Sequence, residues 1–194
     1  DDVVLAHGIH LGQSEIRRLA DSRTTICHCP GANLKLGSGI ADIPKLRQAG
    51  VPVVLGADGP PCNNRLSIFH EMSLAATIHS LRHGPLALDP WAVLGMATRD
   101  AAGALGIGDE VGTLEKGKAG DVVVVELKEW SALPGGDPAS RIVFGGGPHM
   151  VRHVVVAGQP LVVDGQLEAV DTAALRHRID AAWKATRRRM EEMQ

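Results

Sequence analysis

Residues 52–59 are Pro52-Val53-Val54-Leu55-Gly56-Ala57-Asp58-Gly59, a short apolar run that ends in a carboxylate. A strand buried on both faces of a parallel sheet has such a continuous apolar run rather than an alternating one. Two earlier runs end in a similar way, because His7 closes residues 3–6 and His28 follows residues 24–27. The sequence therefore predicts three buried strands, each ending at a side chain of a type that binds metals.

The spacing of these three positions predicts the order of the elements. Successive positions lie roughly twenty to thirty residues apart, which suits one strand and one returning helix. We therefore expect an α/β fold that begins strand, helix, strand, helix, strand. In a (β/α)8 barrel the working residues lie at the carboxyl ends of the strands. We expect His7, His28 and Asp58 at that edge.

The types of residue in the chain change after residue 108, and this change predicts two further parts. A turn-rich segment, 112–121, leads into a β-branched run, and residues 151–163 have the pattern of a β-hairpin. Residues 131–148 are rich in Gly and Pro and are expected to form an exposed loop. We divide the chain into residues 1–110, a β-sandwich portion at 111–170 and a terminal helix at 171–194.

The terminal segment has the pattern of an amphipathic helix. Its apolar stripe consists of Leu175, Ile179, Trp183, Thr186 and Met190. The arginines at 187–189 lie mostly on other faces, and we interpret them as a solvated face in preference to a surface for an acidic partner.

The composition limits the function classes. The chain has 194 residues, 44% of them apolar, and a formal net charge of −2, which is typical of a globular protein and disfavours nucleic acid as a partner. No apolar stretch approaches the roughly twenty residues of a membrane helix. The residues Asp1 and Asp2 differ from the basic start of a signal peptide, so a cytoplasmic location is the default expectation. The three cysteines are expected to be reduced thiols.

The sequence Cys27-His28-Cys29 suggests a zinc chelate. In an extended strand, however, alternate side chains point to opposite faces, so the two thiols would lie on one side and the imidazole on the other. We therefore favour buried thiols over a chelate at this segment.

Several motifs together carry a family resemblance. They are Ala6-His7-Gly8-Ile9-His10-Leu11, the segment 29–39 that begins Cys29-Pro30-Gly31-Ala32-Asn33-Leu34, the segment 55–59 followed by Asn63 and Asn64, and the residues Thr98, Ala101, Ala102, Leu105 and Gly106 before the turn-rich segment 112–121. In this order they resemble the amidohydrolase superfamily. The most similar branch contains deaminases and chlorohydrolases that act on amino-substituted N-heterocycles.

The resemblance implies that the chain is the later part, strands 6 to 8, of a metal-dependent (β/α)8 TIM-type barrel. It also implies the C-terminal portion of a small β-sandwich and a terminal helix. In the family, a His-x-His pair on the first strand, a His on the fifth and an Asp on the eighth hold the metal. Only the last has a match here, Asp58. The partners implied are the missing N-terminal barrel region or a companion chain, with a homo-oligomer as the complete form.

The resemblance also assigns roles to residues. Asp58 would bind one divalent metal ion, with Zn²⁺ favoured over Fe²⁺, and would accept a proton from the attacking water. His7 would hydrogen-bond the developing tetrahedral centre. His28, Asn33 and Asn63 are candidates for binding the small N-heterocyclic substrate.

Each assignment has a structural alternative. An aspartate before glycine is usually a turn residue, which applies to Asp58, and a histidine at a strand end can simply satisfy backbone groups, which applies to His28. Asn33 and Asn63 fit the fixing of loops better than direct contact with substrate. The remaining histidines, His79 among them, are expected on the surface or on helices.

Two functional hypotheses follow. In the first, the chain is part of a metal-dependent hydrolase that acts on non-peptide C–N bonds by hydrolytic deamination. In the second, it is a noncatalytic fragment or an assembly module of such an enzyme. The motifs favour the first hypothesis as the ancestry of the chain. The missing metal ligands favour the second hypothesis as the behaviour of the isolated chain. An open half barrel would expose strand edges, so we expect the isolated chain to be poorly soluble or to pair with another polypeptide.

Overall fold

The computed structural model describes residues 3–193, and its first part is built on a parallel sheet. The three strands are β1 (Val4–Ala6), β2 (Thr25–His28) and β3 (Val53–Leu55), in the spatial order β1-β2-β3. Both pairs of neighbouring strands are parallel, and β2 lies in the middle. The predicted order of strand, helix, strand, helix, strand is confirmed.

Seven helices accompany this sheet within the described residues. They are α1 (Gln13–Asp21), α2 (Pro30–Lys35), α3 (Ile43–Gln48), α4 (Ile68–Ile78), α5 (Ser80–His83), α6 (Pro90–Met96) and α7 (Arg99–Ala104). Short polar caps explain where two of them begin. Asp42 accepts a hydrogen bond from the backbone N–H of Lys45, and Asp89 accepts from those of Trp91 and Ala92.

The core lies between the sheet and the helices. Alternate strand residues, Ile26 on β2 and Val53 and Leu55 on β3, point into it. The helices supply buried residues that include Leu46 on α3 and Met96 on α6. The sheet is therefore covered on one face by helices, as in α/β proteins.

A second, antiparallel sheet contains the strands β4 (Val122–Val125), β5 (Val151–Val156), β6 (Gln159–Val163) and β7 (Gln166–Leu167), in that order. Two-residue turns join the last three strands, and both residues of each turn have positive φ: Ala157 and Gly158, then Asp164 and Gly165. This is the backbone of type I′ hairpin turns. The hairpin predicted for residues 151–163 is confirmed.

The segment 131–148 is not the exposed loop that the sequence suggested. It contains a helix, α8 (Pro138–Gly145), which Asp137 caps by accepting a hydrogen bond from the backbone N–H of Ser140. Helix α8 packs against α4 and α6, and its Val143 is fully buried in the core between the parallel sheet and its helices. Helix α8 therefore packs with the helices that cover the parallel sheet, although it lies within the range 111–170 that was assigned to the β-sandwich portion.

The chain ends in the long helix α9 (Thr172–Glu192), as the apolar stripe predicted. None of its described residues is buried. Across residues 3–193, we find no helix with both the length and the apolar character needed to cross a bilayer.

Candidate functional site

Two of the predicted site residues lie just beyond the carboxyl ends of the outer strands. His7 directly follows β1, and Asp58 comes three residues after the end of β3. Both have left-handed backbone conformations, with φ of 71° and 60°. Non-glycine residues seldom adopt this conformation, and such residues cluster at functional sites.

The side chains of His7 and Asp58 face each other. The distance from His7 Nε2 to Asp58 Oδ2 is 3.9 Å, and both groups are partly exposed. This distance is longer than a hydrogen bond, so the two groups face a common space without binding each other. The structure therefore brings together the two residues predicted to be catalytic, while their roles stay predictions.

Each group is held through its other polar atom. Nδ1 of His7 lies 2.7 Å from Oδ1 of Asn33, and Oδ1 of Asp58 accepts a hydrogen bond of 2.6 Å from the backbone N–H of Gly59. Nε2 and Oδ2 are consequently the atoms left for a ligand. Asn33, a predicted substrate-binding residue, contacts His7 and lies at the same site.

His28 does not join this group. It pairs with Leu55 across the sheet and so shares the face of β2 that points toward the helices. Its ring is buried beside that of His79, which follows α4. Burial is the main cause that lowers the pKa of His28 to about 3, followed by the charges of His79 and His7. A neutral imidazole beneath a helix gives no geometric support to the predicted contact with substrate.

Of the two locations predicted for His79, surface or helix, the structure shows the second: the residue lies at the end of α4 and is buried. It follows the last turn of α4, where helical periodicity alone did not reveal that the residue faces β2.

Asn63 belongs to a buried network that fixes loops. Its Nδ2 donates to Oε1 of Glu71 over 2.6 Å, and its Oδ1 accepts from the backbone N–H of Arg65 over 3.1 Å. The other oxygen of Glu71 accepts a 2.8 Å bond from the backbone N–H of Gly31. The network joins the loop after β3, helix α4 and the start of α2. It supports the loop-fixing alternative for Asn63.

Glu71 is a residue that the sequence analysis missed as part of this region. It is fully buried on α4, in one stripe with Ala75. An acid on the apolar face of a helix was the available signal, because a buried carboxylate needs fixed donors.

The thiols of Cys27 and Cys29 lie on the same side of β2, with their sulfur atoms 3.9 Å apart. This confirms the alternation that argued against a chelate with His28. The contact with Cys29 is the main cause that lowers the pKa of Cys27 to about 7, against opposing effects of burial and of Asp58.

A complete metal site is not formed by the side chains between residues 3 and 193. No group of three or more His, Cys, Asp or Glu side chains within that range is placed to hold an ion. Asp58 and His7 offer one carboxylate oxygen and one ring nitrogen to a common space. Asp58 fits one ligand of a metal site, and the other ligands would have to come from outside the described residues.

The comparisons with known proteins show the family of the chain. The model of the amidohydrolase family matches residues 1–161. An 8-oxoguanine deaminase of Pseudomonas aeruginosa is 41% identical over 180 residues, which are 92% of this chain and 40% of that protein. A 5-methylthioadenosine/S-adenosylhomocysteine deaminase of Acetivibrio thermocellus is 34% identical over 178 residues, 91% of this chain and 41% of that protein.

Two solved structures are similar to most of the fold. The zinc-bound adenosine deaminase of Xanthomonas campestris has a TM-score of 0.91 and 34% identity, over 95% of this chain and 42% of its own. An atrazine chlorohydrolase of Arthrobacter aurescens, complexed with zinc, has a TM-score of 0.83 and 31% identity, over 92% of this chain and 40% of its own. The chain spans about 40% of the length of the curated relatives it matches.

Proposed function

The chain belongs to the amidohydrolase family, and we propose that it supplies strands 6 to 8 of the barrel of a metal-dependent aminohydrolase. The proposed reaction is the hydrolytic deamination of an amino-substituted N-heterocycle by an activated water. The observation that supports it most directly is the 3.9 Å approach of His7 Nε2 to Asp58 Oδ2 at the carboxyl ends of parallel strands.

The substrate class follows from what the relatives are named for. The two deaminases act on 8-oxoguanine and on 5-methylthioadenosine or S-adenosylhomocysteine, and the structural neighbours include enzymes for adenosine and atrazine. All these compounds contain a nitrogen heterocycle with an exocyclic substituent. We propose the same chemical class for this protein.

We propose one divalent metal ion as the cofactor, zinc in preference to iron. Two structural neighbours contain zinc, and Asp58 presents the carboxylate oxygen Oδ2, since its Oδ1 is held by the backbone N–H of Gly59. Carboxylate oxygens are among the donors that bind Zn²⁺ in proteins. A bound Zn²⁺ would lower the pKa of a coordinated water toward neutrality.

Asp58 and His7 have separate tasks in the proposal. Asp58 would hold the ion, and it accepts the proton of the attacking water at Oδ2, because its Oδ1 is already held by the backbone N–H of Gly59. His7 presents Nε2 to the oxygen that adds to the ring carbon and accepts a hydrogen bond from its O–H group. The proton that Asp58 takes from the water passes to the amino nitrogen, the C–N bond breaks, and the amino group leaves as ammonia.

The open edge of the sheet supports a missing partner. On β1 and just before it, Val3, Val4 and Leu5 are 51%, 41% and 44% exposed, although a parallel strand is normally covered on both faces. A barrel leaves no such edge. We propose that the earlier barrel strands, from a longer polypeptide or a companion chain, cover β1, and that the complete protein is a homo-oligomer.

A second candidate is a noncatalytic fragment or assembly module. Its specific support is that no set of three metal-binding side chains lies within residues 3–193. The same experiment separates the two functions. The chain is combined with the first five barrel strands of a relative, purified, and analysed for bound zinc and for ammonia release from a panel of aminated heterocycles.

The enzyme hypothesis expects about one zinc per complex and ammonia release, both lost in Asp58→Asn. Asp164→Asn is the matched control, because Asp164 also has a left-handed backbone but lies in the hairpin turn between β6 and β7. Full metal occupancy in Asp58→Asn would show that Asp58 is not the ligand. A well-folded complex with neither zinc nor turnover would favour the assembly module.

A further inference from the structure

We propose that Asn33 is a positioning residue, which holds His7 in the Nδ1–H tautomer and so leaves a bare Nε2 facing Asp58. Its catalytic meaning rests on the proposed function. The tautomer itself is a property of this chain and can be measured without substrate. The assignment changes the predicted role of Asn33 from binding the substrate to orienting the ring of His7.

The hydrogen bond defines the tautomer. In the orientation that the structure gives to the amide, Oδ1 of Asn33 lies 2.7 Å from Nδ1 of His7, and because Oδ1 is only an acceptor, Nδ1 carries the ring proton. Nε2 is 3.9 Å from Oδ2 of Asp58, too far for the carboxylate to fix a proton there. The protonated nitrogen of a neutral histidine is set by the hydrogen bond that the other atom makes.

Asn33 is well anchored for this task. It lies in α2 and is buried; its backbone N–H donates to the carbonyl of Cys29, and its carbonyl accepts from Ser38. On the other side, the backbone N–H of His7 donates to the carbonyl of Cys27 over 2.8 Å. Both ends of the bond are thus tied to β2 or to the segment that directly follows it.

The reversed orientation of the Asn33 amide is the alternative that the test has to exclude. Nδ2 of Asn33 is buried and has no hydrogen-bond partner among the described residues. An unpaired buried donor is unfavourable, so the orientation of the amide, and with it the tautomer of His7, is what the experiment below decides. The reversed amide would donate to Nδ1, place the ring proton on Nε2 and point it at Asp58. The two orientations therefore predict opposite tautomers.

The tautomer matters for the chemistry because it decides what Nε2 can do. A bare Nε2 accepts a hydrogen bond from an O–H group in the space beside Asp58. With the proton on Nε2, the ring could only donate toward that space. Fixing the ring in advance avoids reorientation during the reaction.

The test is long-range ¹H–¹⁵N NMR of the histidine rings in ¹⁵N-labelled protein, with the His7 signals assigned by His7→Gln. We expect the Nδ1–H tautomer as the major neutral form in the wild type. Asn33→Leu keeps the approximate size of the side chain but removes the acceptor, and it should make Nε2–H the major form. Asn33→Asp keeps an acceptor and should restore Nδ1–H. Asn64→Leu is the matched control, because Asn64 accepts from Lys35 and does not contact His7.

Three outcomes would overturn the proposal: a wild-type ring that is mainly Nε2–H, an Asn33→Leu ring that stays Nδ1–H, or a change of tautomer in Asn64→Leu of equal size. The wild-type spectrum decides the matter even where Asn33→Leu fails to fold. In the completed enzyme, Asn33→Leu should lower kcat roughly 10- to 100-fold with little change in KM. Absence of turnover with the Nδ1–H signal intact would refute the proposed function alone.

Discussion

The imidazole rings of His28 and His79 lie with their centroids 5.5 Å apart and their planes tilted by 40°. Each residue is 1% exposed, and neither ring nitrogen of His28 has a partner among the described residues. Burial chiefly lowers the pKa of His28 to about 3, with contributions from His79 and His7. It also lowers the pKa of His79 to about 4; Asp42 opposes this shift, and His83 and Arg82 add to it. The pair is neutral in the folded protein at pH 7.

We predict that this pair makes the fold sensitive to acid. In the unfolded chain both rings bind protons below about pH 6.5, whereas the folded chain resists protonation down to about pH 3 to 4. Proton uptake by the unfolded chain therefore lowers the free energy of unfolding as the pH falls from about 6.5 toward 4. Well above pH 6.5 the two histidines have no such effect, because they are neutral in both states. Urea unfolding at several pH values measures it, and His28→Leu/His79→Leu should flatten the profile between pH 6.5 and 4. His177→Gln, on the exposed helix α9, is the control; parallel profiles for wild type and double variant would contradict the prediction.

Glu71→Gln should destabilise the protein. Both carboxylate oxygens of Glu71 accept hydrogen bonds, one from Asn63 Nδ2 and one from the backbone N–H of Gly31. A glutamine must turn its NH₂ group toward one of these two donors. That donor and the NH₂ group are then both without an acceptor in a buried site. We expect the free energy of unfolding to fall by about 1–3 kcal/mol, measured by urea titration. Glu168→Gln, on the surface, should be neutral, and equal effects of the two changes would argue against the network.

The sequence predicted the strands and part of the site for a physical reason. Apolar runs identify buried strands whatever the partners are, and the ends of parallel strands meet at one edge, which placed His7 and Asp58 together. The sequence could not show which face of β2 would be covered by helices. The alternation separated His28 from the two cysteines correctly, yet the assignment of His28 to the substrate side had no such basis.

Helix α8 and Glu71 escaped prediction because their signals depend on tertiary contacts. The Gly and Pro residues around α8 indicate a loop locally, whereas Val143 is held by packing against distant helices. Glu71 is tolerated on an apolar face only because Asn63 and Gly31 supply donors, and neither is its neighbour on the helix.

A side chain at position 56 should collide with Cys27. A Cβ atom on Gly56 would lie 2.5 Å from Sγ of Cys27, so Gly56→Ala forces the Cys27 side chain or its surroundings to move. We expect it to lower the free energy of unfolding by about 1–3 kcal/mol. Cys27→Ala removes the sulfur, so the double variant should lose less than the sum of the two single changes. In Gly103→Ala, the control in helix α7, the new Cβ would meet no atom within 4 Å; simple additivity at positions 56 and 27 would exclude the collision.

The exposed apolar surfaces of the chain should make it associate when it is alone. Two are candidates: strand β1 with Leu5, and the stripe of α9, where Trp183 is 60% exposed. Contiguous exposed apolar surface and open strand edges favour association. We expect sedimentation velocity to show concentration-dependent self-association, weakened by Leu5→Lys if β1 forms the contact and by Trp183→Glu if α9 does. Arg178→Glu, a change of charge on α9 that leaves its apolar residues in place, serves as the control. Because we propose that the earlier barrel strands cover β1, a monodisperse monomer that unfolds cooperatively would contradict the proposal that a partner covers this edge.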